Sequence, residues 1–127
     1  MADLLARAKA EGWKRAVVTN TPRLNAHAML EAIWLEAYFD VIVIGEECPR
    51  SKPDPYPYQE AMRQLDVTPN RAIAFEDSPS GTRSARSSGA FTVGIRSSLS
   101  DHALRQACAQ LTIDDFTDPA LGRLLGA

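Results

Sequence analysis

Four short runs that are apolar along most of their length, AVVT at 16–19, VIVIG at 41–45, AIAFED at 72–77 and FTVGI at 91–95, alternate along the chain with segments of helical period. That alternation constrains the fold more than any other feature, because strands separated by helices pair side by side in parallel and bury both faces of their sheet under the helices. Leu4, Leu5 and Ala8 recur at helical spacing before Gly12, which predicts a helix over 2–11. Thr21-Pro22 opens a second helix that carries Met29, Leu30, Ile33 and Trp34 to about Ala37. Tyr58, Ala61, Met62 and Leu65 mark the apolar stripe of a third. Ser84, Ala85, Ser88 and Gly89 give a fourth a small-residue face, and Ala103, Leu104, Ala107 and Cys108 give a fifth its apolar face. A short apolar piece, Leu111 to Ile113, precedes a last turn around Leu121 to Leu125. VIVIG is uninterrupted, as in a strand covered on both faces. The expectation is an α/β fold of three layers, α/β/α, with a mainly parallel sheet in one domain over 1–127.

Charge and hydropathy exclude several function classes. Fourteen basic and sixteen acidic residues leave a formal charge of -2 with no long basic run, so a nucleic-acid phosphate backbone is a poor match. The longest apolar stretch, Val41 to Gly45, falls far short of the roughly 20 residues a membrane span needs. Arg7 and Lys9 interrupt the first residues, unlike a secretory signal. Cys48 and Cys108 lack metal-type spacing and fit a reducing compartment, so a cytoplasmic location is expected.

In sheets of this kind ligands sit beyond the carboxyl ends of the strands. The first strand ends in Thr19-Asn20, the second leads to Lys52 in the loop SKPDP, and the third ends in Glu76-Asp77. Each group has an ordinary explanation: Thr19 to Pro22 is a helix start, a lone lysine is usually solvated, and Glu76-Asp77 before Pro79 and Gly81 reads as a turn. Together they form a shell for phosphoryl chemistry, in which a hydroxyl and an ammonium hold phosphoryl oxygens while carboxylates hold Mg²⁺. Pro53 stiffens Lys52 toward an extended backbone. His27 and His102 have no partner at ligand spacing, Trp13 and Trp34 are expected in packing, and Arg83 and Arg86 on a solvated helix face.

VVTNTP, GEECPRSKPDPYPYQEAM and FEDSPSGTRSARSSGAFTVGI together resemble the haloacid dehalogenase superfamily, in its phosphatase and β-phosphoglucomutase-like branch, from about Leu4 to Ile95. The resemblance implies a Rossmann-like core and a Mg²⁺-dependent phosphohydrolase or phosphomutase acting on a small phosphorylated metabolite. It implies that Thr19 and Lys52 are catalytic, that Thr19, Asn20 and Lys52 bind the substrate phosphoryl group, and that Glu76 and Asp77 hold the metal. Ser78 and Ser80 would support that loop.

The sequence departs from the family pattern at its beginning. The family opens with a strand ending in Asp-x-Asp, whose first aspartate attacks phosphorus, and no such strand occurs here; Asp3 lies ahead of a helix. The substrate-selecting cap is missing as well, so the chain reads as the C-terminal portion of a longer enzyme and its core as incomplete. Enzymes accelerate phosphate-monoester hydrolysis by up to about 10²¹-fold, and a cation with a lysine supplies only the electrostatic part of that. The chain alone is therefore expected to be nearly inactive. In the family the nucleophile strand lies between the strands that are here 16–19 and 72–77. Three outcomes follow: the two edges pair directly, a complementing chain or segment fills the slot, or the fold is marginal. A non-catalytic phosphate- or partner-binding module remains the alternative. A response-regulator receiver domain has its acids first and its lysine last, the reverse of this order, and a true dehalogenase does not need metal-binding acids.

Overall fold

The computed structural model describes residues 2–32, 39–97 and 99–124. Eleven regular elements alternate through them. They are α1 (Ala2–Ala10), β1 (Ala16–Thr19), α2 (Arg23–Ala32), β2 (Val41–Ile44), α3 (Tyr56–Leu65), β3 (Ile73–Glu76), α4 (Pro79–Ser87), β4 (Phe91–Ile95), α5 (Asp101–Gln106), β5 (Leu111–Ile113) and α6 (Pro119–Leu124). All strand pairs are parallel, as the helical crossovers require. The fold is α/β, with helices on both faces of the strands.

The strands form two sheets, β1-β2 and β3-β4-β5, and β1 does not pair with β3. Ala16 to Thr19 register against Val41 to Ile44, and Ile73 to Glu76 against Phe91 to Gly94. The Asp40 amide donates to the Arg15 carbonyl at 2.8 Å. Because backbone polar groups alternate in direction along a strand, Arg15, Val17 and Thr19 turn theirs toward β2, while Ala16 and Val18 turn theirs toward β3. The Phe91 amide donates to the Ala72 carbonyl at 3.0 Å, which by the same alternation leaves Ile73 and Phe75 facing β1. Of the three expected outcomes, direct closure is the one this topology contradicts.

Three apolar clusters carry the helices. Leu5 of α1 and Leu30 of α2 pack with Val17, Phe39 and Ile42 on the smaller sheet. Leu4 of α1 joins Val93, Ile113 and Phe75 with Leu121 of α6 on the larger one, so one helix straddles both sheets. Ala85 of α4 packs with Ala72, Ala74 and Ala90, and Tyr58 of α3 lies against them.

Several expectations need correction. VIVIG is an edge strand with Val41 and Ile42 only half-buried, and its Gly45 opens a short 3₁₀ turn. An apolar run records what covers a strand's faces and says nothing of its edges. Pro79 and Gly81 do not make a turn: they stand in the first turn of α4, after the cap Ser78, whose Oγ accepts from the Gly81 amide at 3.1 Å. The fifth helix stops at Gln106, and Cys108 has a left-handed φ of 77° that ends the helical path. Ile33, Trp34 and Ala37 of the second predicted helix, and Leu125 of the last turn, lie outside the described residues.

Candidate functional site

The carboxyl ends of β1 and β3 meet the loop after β2 through one side chain. Lys52 stands eight residues after the end of β2, and its peptide bond to Pro53 is cis. Its ammonium donates to the Val18 carbonyl at 2.9 Å and to Oε1 of Glu76. It therefore touches the inner edge of one sheet and the last residue of the other. The Lys52 side chain is 9% exposed and that of Glu76 8%, so the lysine is no solvated tether. Taking two charges this far out of water is costly, and each offsets that cost for the other by standing in direct contact with it.

Glu76 has a second donor. The Tyr58 hydroxyl, from the first turns of α3, also bonds Oε1. Burial, then the negative charges of Glu76 and Asp77, push the Tyr58 hydroxyl well above its ordinary value, which keeps it protonated and donating. Among the described residues no donor reaches Oε2. That oxygen lies against Gly81, where an added Cβ would stand 2.1 Å from it, so the first turn of α4 must carry glycine to admit the carboxylate. Asp77, the next residue, is exposed.

At the end of β1, Thr19 Oγ1 accepts from the Thr21 amide at 3.0 Å, which leaves its proton to donate elsewhere. Asn20 is exposed, with Oδ1 placed 2.1 Å from where a Cβ on Gly45 would stand. A second glycine thus makes room for a rim side chain. The structure brings Lys52 and Glu76 into contact, puts Asp77 beside them in the chain, and sets Thr19 one residue beyond the carbonyl that Lys52 binds. Ser78 supports the loop as a helix cap. The other groups stay apart from this rim: His102, Arg83 and Arg86 are exposed, His27 lies 3.3 Å from the Arg23 guanidinium, and Trp13 packs under the Arg7 guanidinium at 5.3 Å.

Tyr58 is the residue that sequence reasoning missed. It entered as a position in an apolar stripe, where phenylalanine would serve equally. The available signal was a tyrosine in that stripe six residues after the lysine, since a buried hydroxyl requires a partner.

The donor chemistry suits magnesium, a hard cation that takes oxygen ligands and retains water and phosphate oxygens in its shell. Asp77 and the second oxygen of Glu76 fit that preference. No group of three His, Cys, Asp or Glu among the described residues is arranged to hold a metal, so these acids amount to part of a shell. No helix among the described residues is long and apolar enough to cross a membrane.

Comparison with known proteins identifies the family and the fold. A family model described as haloacid dehalogenase-like hydrolase matches residues 1–95. A phosphorylated carbohydrates phosphatase of Thermotoga maritima is 39% identical over 94 residues, 73% of this chain and 44% of that protein. Protein CbbY of Cereibacter sphaeroides is 42% identical over 92 residues, 70% of this chain and 40% of that protein. The crystal structure of CbbY from Rhodobacter sphaeroides in complex with xylulose-(1,5)bisphosphate superposes with a TM-score of 0.81 at 37% identity, over 91% of this chain and 52% of that one. The chain spans less than half the length of the two curated relatives.

Proposed function

The chain belongs to the haloacid dehalogenase-like hydrolase family, and from that premise we propose that it supplies the phosphate- and metal-holding rim of a Mg²⁺-dependent phosphohydrolase or phosphomutase for a small phosphorylated metabolite. The observation that carries this reading is the Lys52 ammonium bound at once to the Val18 carbonyl and to Glu76. It fixes a cation where two strand ends and a carboxylate pair come together, at the place in a parallel α/β sheet where ligands bind. In this role Thr19 Oγ1 and the Asn20 amide hold phosphoryl oxygens, and Lys52 offsets charge as it builds on the transferring group. Glu76 and Asp77 would hold the metal, which when bound neutralises phosphoryl charge. A relative's complex with a sugar bisphosphate supports the substrate class.

The attacking carboxylate is to come from a strand seated between β1 and β3, where Ala16, Val18, Ile73 and Phe75 present their backbone groups. On this reading the chain alone binds but does not turn over. The test adds a polypeptide carrying an apolar strand that ends in Asp-x-Asp and follows release of nitrophenol from p-nitrophenyl phosphate. Turnover should rise by several orders of magnitude above the chain alone and fall again with Thr19→Ala or Lys52→Ala. Binding of inorganic phosphate and Mn²⁺ with no gain in turnover on complementation would favour the non-catalytic module instead.

A further inference from the structure

We propose that Tyr58 is the positioning residue of this site: its hydroxyl, donated to Oε1 of Glu76, fixes the orientation of that carboxylate and so decides how Oε2 is presented to a cation. The inference rests on the metal-holding role given above to Glu76 and Asp77.

Three observations carry it. Both donors to Glu76 bond the same oxygen, the Lys52 ammonium and the Tyr58 hydroxyl sharing Oε1. A carboxylate held through one oxygen by two donors from different directions cannot rotate freely, and its other oxygen is left as the ligand. The two donors also differ in kind. Lys52 ends a flexible four-carbon stem and divides its protons between Glu76 and the Val18 carbonyl. Tyr58 is a rigid ring on α3, packed against the cluster of Ala74, Ala85 and Ala90, so the helix itself sets where its hydroxyl stands. Sites held to within a fraction of an ångström are built on rigid elements in this way. Third, Gly81 lies against the carboxylate group as a whole, since an added Cβ there would stand 2.1 Å from Oε2, 2.3 Å from Cδ and 2.7 Å from Oε1. Tyr58, Lys52 and the first turn of α4 together leave Glu76 one orientation.

A purely structural tyrosine would fill the apolar space and nothing more. Phenylalanine would then replace it without consequence for a metal. The test uses the whole chain and Mn²⁺, with free Mn²⁺ counted by its electron paramagnetic resonance signal. Tyr58→Phe keeps the ring, and its thermal melt reports whether the fold is intact. Mn²⁺ binding should weaken about tenfold, the lower end of what loss of an outer partner of a metal ligand causes. Glu76→Gln should weaken it comparably, and adding Tyr58→Phe to Glu76→Gln should bring no further loss, because the hydroxyl acts through that carboxylate. This non-additivity can be read in Glu76→Gln even where Tyr58→Phe alone melts early.

The failures are distinguishable. Binding that Asp77→Asn abolishes but folded Tyr58→Phe leaves unchanged overturns the role of Tyr58 alone, as does a full further loss from Tyr58→Phe on the Glu76→Gln background. Wild-type chain that binds no Mn²⁺, or binds it with indifference to Asp77→Asn, overturns the metal-holding reading and this inference with it.

Discussion

β1 and β4 are both strands of parallel sheets, yet all four residues of β1 are half-buried while the three central residues of β4 are fully buried. Their compositions do not explain it, since AVVT is no less apolar or β-branched than FTVGI. Their neighbours do. β4 has β3 on one side and β5 on the other, whereas β1 has β2 alone, and its second edge looks across the gap at β3. On the far side of the gap Ile73 is 39% exposed, an unusual position for isoleucine in a strand. The comparison separates two things a parallel sheet needs. Helices cover faces, which α1 and α3 do here for both sheets, but only another strand covers an edge.

The sharpest way to break this comparison is amide exchange. The alternation of backbone direction assigns Val17 to β2 and Ala74 to β4, but turns Val18 and Phe75 into the gap. The amides of Val18 and Phe75 should exchange roughly a hundredfold or more faster than those of Val17 and Ala74, since an unpaired edge amide opens without breaking the sheet. Equal protection in the isolated chain would mean the gap is closed in solution. Adding the complementing strand should slow Val18 and Phe75 selectively.

Next in size is the link across the gap. Lys52→Met leaves the buried Glu76 carboxylate with Tyr58 as its remaining donor, and losing one partner of a buried pair costs about 3–5 kcal/mol. Much of that cost is the stranded charge, so the double variant Lys52→Met with Glu76→Gln should recover part of it in a urea melt. A single-variant cost near zero would mean that the ammonium does not bridge the two sheets.

A smaller effect sharpens the contrast between the strands themselves. Val93 in β4 is 0% exposed among Ile113 and Leu121, so Val93→Ala should cost roughly 2–3 kcal/mol in lost transfer energy and residual cavity. Val17 in β1 packs against Leu5 and Leu30 but is only half-buried, and Val17→Ala should cost about 1 kcal/mol. Equal costs would contradict the difference in burial. With the complementing strand bound, the Val17 cost should rise toward that of Val93.

How much of this was legible beforehand follows from what each signal records. Ala16 to Thr19 and Phe91 to Ile95 are legible as strands with the bounds observed, because β-branched runs mark strands locally, whereas Leu111 to Ile113, legible only as a short apolar piece, is the strand β5. The gap was foreseeable only from the family's strand order, since nothing in AVVT or IAFE reports which strand lies alongside. Pro79 and Gly81 misled because proline and glycine punctuate turns and helix starts alike, and the deciding feature was the Ser78 cap. The Thr19, Lys52 and Glu76-Asp77 rim was legible as residue types at strand ends. The contact between Tyr58 and Glu76, 18 residues apart in the chain, was not, because periodicity reports which face a residue takes and leaves its cross-element partner open.

The smallest predicted effect tests whether Lys52–Glu76 differs in kind from the ion pairs on the surface. Glu60 on α3 accepts hydrogen bonds from Arg63 and then Gln64, which hold its carboxyl down to about 2. A carboxylate lowered in the folded state contributes stability that is present above its unfolded value, about 4.3, and is lost as pH falls through about 2. Its Arg63 partner is 71% exposed three residues along the same helix, so solvent screening reduces the contribution to a few tenths of a kcal/mol. Glu60→Gln should therefore be slightly less stable than wild type at pH 7, and the difference should vanish as pH approaches 2. The pair lies within one helix and touches neither sheet, so the loss should leave exchange at Val18 and Phe75 unchanged. A cost at pH 7 as large as that of Lys52→Met would mean that burial and position across the gap are not what set the Lys52–Glu76 pair apart.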